Sequence, residues 1–270
     1  MAVAEPRKKL PRFEDVTETP GIPVSREGAV MVYTRYWVAS QLACGKRVLE
    51  LGCASAQGFG LLGRQATLIV GGDVSLGLLR NGHRHYRRRF PLVQLSAEQL
   101  PFRAAAFDLV LFFEASYYVP DMNAALAEIA RVLCRDGRVL FVNANPERRD
   151  FIRSPHSVHY HTADELRRAL NELGLSVTVE GAFPVDTATG RGRWSFLAPL
   201  VPTLRRALEV LGLVPKTLRA RARLKRLLYG RLIDLPAELF EGFATVAPRV
   251  PVEAGPVRGF KVLYVTAIKP

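Results

Sequence analysis

Two acidic side chains stand at the ends of two apolar segments early in the chain. Glu50 opens the run ELGCA, and Asp73 follows the next apolar segment, twenty-one positions after Gly52. A strand, a glycine-containing turn and a helix present backbone amides to a ligand. A carboxylate at the end of the next strand can accept hydrogen bonds from both hydroxyls of a ribose. The spacing therefore predicts a nucleoside-binding site.

The same residues disfavour a dinucleotide cofactor. Ala54 places a methyl group where a pyrophosphate needs glycine for close approach, and Glu50 adds negative charge nearby. S-adenosylmethionine has no phosphate and carries positive charge, so it suits these residues better. A nicotinamide-dependent reductase stays as an alternative, but the chain has no Tyr-x-x-x-Lys pair.

Methyl transfer from a sulfonium is a direct displacement, so the protein mainly aligns the reactants and may have to remove a proton from the acceptor. The candidates for that work are Glu114, Tyr117 and Tyr118, which follow the fourth apolar segment. Structural roles are an open alternative, because the tyrosines could simply pack and Glu114 could cap the next helix.

Three histidines at alternating positions, His156, His159 and His161, precede the sequence TADE. We interpret them first as exposed loop residues, second as a source of a general base, with His159 the named candidate, and last as metal ligands. No metal site is predicted, because no carboxylate or cysteine lies nearby at zinc-like spacing.

The elements that must position these residues alternate between strand and helix. Helices are predicted over 26–43, from about 58, and over 75–86, 122–133 and 162–173; strands are predicted over 47–51, 67–71, 92–95, 108–113, 138–142, 176–179 and 260–268. The fold class is α/β: a Rossmann-like, mostly parallel sheet with an antiparallel last strand and helices on both faces.

Between Arg47 and Val142 the chain resembles the class I methyltransferases, in the branch related to quinone-biosynthesis and other small-molecule methyltransferases. The matching stretches are VLELGCASAQG (48–58), GGDVSLGLLR (71–80), SAEQLPF (96–102), FDLVLFFEASYYVPD (107–121) and EIARVLCRDGRVLF (128–141). The resemblance implies the class I fold and S-adenosylmethionine as the cofactor.

The resemblance also implies roles for individual residues. The methionine end of the cofactor would be framed by Glu50, Gly52, Cys53 and Ala54, the ribose by Asp73 and Val74, and the adenine edge by Ser96, Ala97 and Glu98, with Glu114 to Tyr118 lining the transfer site. The chain departs from the family at Ala54 and Ala56, where glycine is usual, and at Ser96, where aspartate is usual. These methyl groups could narrow the pocket or resist a positive φ, which would weaken cofactor binding.

The domain organisation follows from composition. Residues 1–25 are rich in charge and proline and are expected to form a flexible arm. Residues 26–185 and 259–270 form the methyltransferase domain, and residues 186–258 form a basic, partly helical insertion. On the first helix, Tyr33, Arg35 and Tyr36 would lie near the methionine end, although a surface ion pair is the simpler expectation for Arg35.

The insertion carries most of the excess positive charge. Eleven bases stand against Glu209 alone within 191–231, in a chain whose net charge is +13. Amphipathic basic helices in 190–233 could lie on an anionic membrane surface, grip a lipid-linked acceptor, bind RNA or simply cover the domain. RNA is disfavoured, though not excluded, because the segment has few aromatic residues for stacking.

Three cysteines without Cys-x-x-Cys spacing, and no apolar run of about 18 residues, indicate a cytoplasmic protein that could associate peripherally with the inner membrane surface. The function that fits is methylation of a small-molecule or lipid-linked acceptor, with oxygen as the favoured acceptor atom. The alternatives are a binding module with weak catalysis and an RNA methyltransferase.

Overall fold

The computed structural model describes residues 13–15, 17–185 and 232–270. The helices are α1 (Arg26–Leu42), α2 (Phe59–Leu62), α3 (Leu76–Tyr86), α4 (Met122–Val132) and α5 (Ala163–Glu172). The strands are β1 (Pro23–Val24), β2 (Arg47–Leu51), β3 (Leu68–Asp73), β4 (Leu92–Gln94), β5 (Phe107–Phe113), β6 (Leu133–Ala144), β7 (Ser176–Pro184), β8 (Ile233–Asp234), β9 (Arg249–Pro251) and β10 (Phe260–Ile268). Short 3₁₀ helices occupy Phe13–Asp15 and Ser116–Tyr118.

Eight of these strands form one sheet in the order β4-β3-β2-β5-β6-β10-β7-β9. The five strands from β4 to β6 are parallel to one another, and β10 runs antiparallel to both β6 and β7. The predicted α/β fold with an antiparallel last strand is confirmed. Because β2 and β3 are adjacent and parallel, Glu50 and Asp73 come to the same edge of the sheet.

Successive side chains of each central strand point to opposite faces of the sheet. They therefore contribute to two separate hydrophobic cores. Leu109 and Leu111 of β5 pack toward α1, α2 and α3, whereas Val110 packs toward α4 and α5. Both faces of the sheet are therefore covered by helices. A sheet buried on both faces is rigid at its carboxyl edge, where ligands bind in this class of fold.

Helix starts are fixed by side-chain caps that the sequence encodes locally. Ser75 Oγ accepts from the amide of Leu78, and Asp121 accepts from Ala124. The sequence TADE forms a capping box, with Thr162 and Glu165 each accepting from the other's backbone N–H. Capping by Asp121 leaves Glu114 available for another role.

The structure draws the domain limits differently from composition. Val24 and Ile22, placed by the sequence in an arm, are buried, and β1 pairs with β8. Leu235 and Leu239, placed in the insertion, belong to the core, and β9 pairs with β7. Burial of these apolar residues makes their segments part of the domain, despite the local content of charged residues and proline. Most of the predicted basic helices, within 186–231, lie outside the described residues.

Candidate active site

A cavity of about 900 Å³ opens at the carboxyl ends of β2, β3, β5 and β6. This volume lies at the upper end of the range for ligand pockets, about 300–1,000 Å³. Its two ends are built from different parts of the chain. The strand ends from residues 51–98 line one end, which we call the turn end, and segments distant in sequence line the other, which we call the open end.

The turn after β2 adopts the left-handed backbone conformation at three alternating positions. The φ angles are +68° at Gly52, +51° at Ala54 and +61° at Ala56. The expectation that the alanine methyl groups could forbid a positive φ is therefore wrong, because both alanines adopt it. The conformation costs each alanine about 1–2 kcal/mol relative to a right-handed one.

Asp73 holds this turn in place. One carboxylate oxygen accepts from the amide of Ala54 at 2.8 Å, and the other accepts from the amide of Ser75 at 2.8 Å. Burial raises the pKa of Asp73, and hydrogen bonds from the amides of Ser75, Ala54 and Val74 oppose the rise. Asp73 lines the cavity, where its carboxylate can accept from a ligand.

Glu50 is almost completely buried at the end of β2. The Tyr36 hydroxyl donates to its Oε1 at 2.7 Å, while Oε2 is buried without a hydrogen-bond partner among the described residues. Burial raises the pKa of Glu50 to about 8, although the Tyr36 hydrogen bond and the charge of Arg35 lower it. A buried, unpartnered carboxylate oxygen is costly unless a donor or a cation meets it.

Arg35 of α1 lies in the cavity wall and not on the surface. Its Nη2 forms a 3.2 Å ion pair with Glu18, and its Nε is buried without a hydrogen-bond partner in the part of the chain that the structure describes. The ion pair expected for this residue is present, but it is part of the cavity lining. The sequence missed Glu18 because it was assigned to the arm.

The predicted adenine-edge residues also line the cavity, but they already have local partners. Ser96 Oγ donates to the Glu98 carboxylate at 3.0 Å and accepts from the Glu98 amide at 3.2 Å. The second Glu98 oxygen accepts from the amide of Asp121 at 2.8 Å. Ala97 and Val74 complete this wall.

Glu114 lies immediately after β5 with a φ of +47°, and it lines the open end of the cavity. The Tyr117 hydroxyl donates to its Oε2 at 3.1 Å. Burial raises the pKa of Glu114 to about 7, against the positive charge of Arg35. A carboxylate that titrates near neutral pH beside a cavity is suited to proton transfer or to hydrogen bonding with an acceptor.

The two tyrosines combine site and packing roles. Tyr117 stacks on Tyr160 with ring centroids 4.0 Å apart, and the Tyr118 hydroxyl lies 2.6 Å from Ser154 Oγ. Both tyrosines line the cavity. The aromatic packing expected as an alternative therefore accompanies any chemical role.

The histidines separate in space. His156 lines the cavity, whereas His159 is exposed, does not line it and pairs with Glu165 at 3.3 Å. The structure thus does not bring the candidate His159 to the site. Across 13–15, 17–185 and 232–270, no group of three or more His, Cys, Asp or Glu side chains is arranged to hold a metal ion.

Sequence reasoning missed two basic residues at the open end. Arg148 follows β6, and Lys261 lies on β10, where its Nζ donates to Glu27 at 2.7 Å. Arg148 could have been identified from the sequence as a site residue, because it lies just beyond the carboxyl end of a parallel strand. Lys261 could not, because β10 runs in the opposite direction.

Comparison with known proteins identifies the domain. A family model described as a methyltransferase domain matches residues 49–141. The fatty-acid O-methyltransferase of Mycolicibacterium smegmatis is 36% identical over 179 residues, which are 63% of this chain and 60% of the relative. A phthiotriol/phenolphthiotriol dimycocerosates methyltransferase of Mycobacterium ulcerans is 39% identical over 107 residues, 38% of this chain and 39% of the relative. The chain thus spans about half the length of these relatives.

Solved structures extend the similarity to the whole fold. An S-adenosylmethionine-dependent methyltransferase from Mesorhizobium loti superposes with a TM-score of 0.53 at 16% identity, covering 88% of this chain and 100% of that one. At this identity the similarity establishes the fold alone. The predicted resemblance to methyltransferases is confirmed over residues 49–141, and the predicted class I fold is confirmed. None of the helices in the described ranges has the length and apolarity to span a bilayer.

Proposed function

We propose that this chain, which carries a methyltransferase domain at residues 49–141, transfers a methyl group from S-adenosylmethionine to an oxygen of a small-molecule or lipid-linked acceptor. The observation that carries the proposal is the pair of buried acids, Glu50 and Asp73, at the ends of adjacent strands. Asp73 lines the large cavity, whereas Glu50 does not line it and immediately precedes the lining residue Leu51. A cationic nucleoside with a ribose matches that pair.

The polar atoms left without partners fit this cofactor. Glu50 Oε2 and Arg35 Nε are buried without hydrogen bonds, and they suit the ammonium and carboxylate groups at the methionine end. Asp73 lines the cavity, where its carboxylate can accept from the ribose hydroxyls. When bound, S-adenosylmethionine supplies an electrophilic methyl group on a positively charged sulfur.

The open end of the cavity would seat the acceptor. Glu114 and Tyr117 face this space, and a pKa near 7 lets Glu114 take a proton from a hydroxyl or donate one to an acceptor oxygen at neutral pH. Phe13, Thr17 and Glu18 line the same cavity, and a site shielded from water would favour the displacement. Alignment and exclusion of water are the main contributions that a displacement of this kind requires.

The named relatives support the acceptor class. One is a fatty-acid O-methyltransferase and another methylates phthiotriol-type dimycocerosates. Apolar residues also contribute to the open end, where Met31, Val142, Ala144 and Val262 line the wall. Oxygen methylation of an apolar acceptor is consistent with both observations.

Calorimetric titration with S-adenosylmethionine tests the cofactor assignment. Asp73→Asn keeps the side-chain volume and one acceptor oxygen but loses the charge, so the affinity should fall about 30-fold, which corresponds to about 2 kcal/mol. Asp136→Asn, at an exposed position near the opposite edge of the sheet, is the control and should bind normally. Absence of binding by the unaltered protein would refute the proposal. Binding without methyl transfer to any of a panel of lipid-like acids and alcohols would favour a binding module.

A membrane contact through residues 190–233 is a separate part of the proposal. It is supported by the eleven bases against one acid within 191–231 and by the lipid substrates of the named relatives. The full chain should sediment with vesicles containing anionic phosphatidylglycerol and not with phosphatidylcholine alone. Equal sedimentation after deletion of 190–233 would contradict it.

A further inference from the structure

Arg148 is the cation at the open end with the weakest internal pairing. Its side chain is 19% exposed, and its Nε lies 3.5 Å from the half-exposed carboxylate of Asp150. That Nε is buried and makes no hydrogen bond, and no hydrogen bond from the terminal nitrogens is present within the described ranges. By contrast, Arg35 and Lys261 each hold a carboxylate at hydrogen-bond distance.

A guanidinium with free donors in a cavity wall favours an anionic group with two oxygens. Its planar fork pairs with a carboxylate through two parallel hydrogen bonds, in a geometry that lysine cannot reproduce. The Arg148 charge also lowers the pKa of Glu114, so the two side chains interact across the open end. An acid bound to Arg148 would therefore lie near Glu114.

Part of the cavity wall near this pair is apolar. Val142 and Ala144 of β6, Val262 of β10 and Met31 of α1 line the same cavity. An alkyl or acyl chain would bury its methylene groups against them at about 0.8 kcal/mol each. A molecule with one charged headgroup and an uncharged chain matches both the Arg148 guanidinium and these apolar side chains.

We propose that the methyl acceptor is an apolar molecule ending in a carboxylate, and that Arg148 binds this carboxylate. The inference rests on the proposed methyl transfer, and it adds to that proposal the chemical class of the acceptor and the residue that recognises it. Arg148 is thus a residue of the acceptor site and not of the cofactor site.

The reaction balances without a proton acceptor. One carboxylate oxygen forms the new bond to the methyl carbon while the carbon–sulfur bond breaks, and the electron pair of that bond stays on sulfur. The carboxylate becomes a neutral methyl ester and the sulfonium becomes a neutral thioether. Loss of the negative charge weakens the contact with Arg148, which favours release of the ester.

The role of Arg148 can be tested without measuring turnover, by comparing the binding of decanoate and 1-decanol to the unaltered protein and to Arg148 variants. Calorimetry with the full chain should show decanoate binding at least tenfold tighter than decanol, and Arg148→Gln should remove that preference. Arg148→Lys should restore part of it. Arg149→Gln, which makes the same change at the exposed neighbouring position outside the cavity, should retain the full preference.

Titration with S-adenosylmethionine separates the two proposals. If Arg148→Gln weakens this binding as much as it weakens decanoate binding, Arg148 serves the cofactor and the inference is overturned. An unchanged preference for decanoate in both Arg148 variants overturns it too. If the unaltered protein binds decanoate through Arg148 but neither binds S-adenosylmethionine nor forms methyl decanoate, the methyl-transfer proposal fails while the carboxylate site stands.

Discussion

The turn end and the open end of the cavity are built in contrasting ways. The turn end takes its polar residues from consecutive strands and turns within 50–98, and Asp73 and Glu98 anchor it through backbone amides. The open end brings together Glu18, Glu114, Arg148 and Lys261, from four separate segments. Local backbone constraints therefore define the turn end, which we propose for the cofactor, whereas tertiary packing defines the open end, which we propose for the acceptor.

Substitutions at the two ends should therefore have different effects on stability and binding. Changes at the turn end should act through strain and burial and affect stability together with cofactor binding. Changes at the open end should affect the acceptor and leave stability nearly unchanged.

Gly52→Ala should have the largest effect. A Cβ at Gly52 would overlap the side chain of Ala115, and φ is +68° there. The free energy of unfolding should fall by about 3 kcal/mol, combining left-handed strain with overpacking, and cofactor binding should be lost. Urea denaturation measures the change. Gly45→Ala is the matched control, because Gly45 has the same φ of +68° with nothing within 4 Å of the added Cβ. Equal losses at the two positions would mean that the contact with Ala115 contributes nothing.

The pH dependence of stability should reflect the buried acids. Glu50, whose pKa rises from 4.5 to about 8 on folding, contributes stability that is fully present below pH 4.5 and is lost as the pH rises through 8. Glu114, whose pKa is about 7, also contributes stability at low pH. Its contribution is lost at a lower pH than that of Glu50.

Glu50→Gln should therefore lose about 2 kcal/mol less stability than the unaltered protein between pH 6.5 and 8.5, since pH 6.5 lies about 1.5 units below the Glu50 pKa of about 8 and one unit corresponds to about 1.4 kcal/mol. Urea unfolding at both pH values measures this, with exposed Glu172→Gln as the control. A pH dependence identical in all three proteins would show that Glu50 is not desolvated.

Ala54→Gly and Ala56→Gly should have small effects. Each relieves left-handed strain but increases the entropy of the unfolded chain, so the net gain in stability should be at most about 1 kcal/mol. Affinity for S-adenosylmethionine should change less than threefold, because the backbone already has the required conformation. A tenfold rise in affinity would show instead that the alanine methyl groups narrow the pocket.

His159→Ala should have the smallest effect, and His156→Ala is its contrasting partner. His159 is exposed and paired with Glu165 outside the cavity, and exposed pairs contribute little. Methyl transfer to decanoate should stay within about twofold for His159→Ala and fall further for His156→Ala, which alters the cavity lining. The reverse order in kcat/KM would mean that His159, and not His156, acts at the acceptor site.

Most of the fold could be predicted because its signals are local. The β2 and β10 strands, the helix predicted to begin at Thr162 and the helix predicted over 26–43 each depend on a few neighbouring residues. The ends of β6 and β7 were predicted too short, because their length is set by pairing with β5 and β10 and not by their own composition. The burial of Val24 and Leu235 escaped prediction for the same reason, since each is covered by a segment far away in sequence.

The sequence by itself determined the strand-turn-acid arrangement of Glu50, Gly52 and Asp73, because parallel neighbouring strands bring consecutive carboxyl ends to one edge. Only the tertiary structure decided that Arg148 and His156 enter the cavity while His159 does not, and that Arg35 is buried with Glu18. The physical reason is that side-chain burial depends on which distant segments pack together, whereas strand and turn conformation depends largely on adjacent residues.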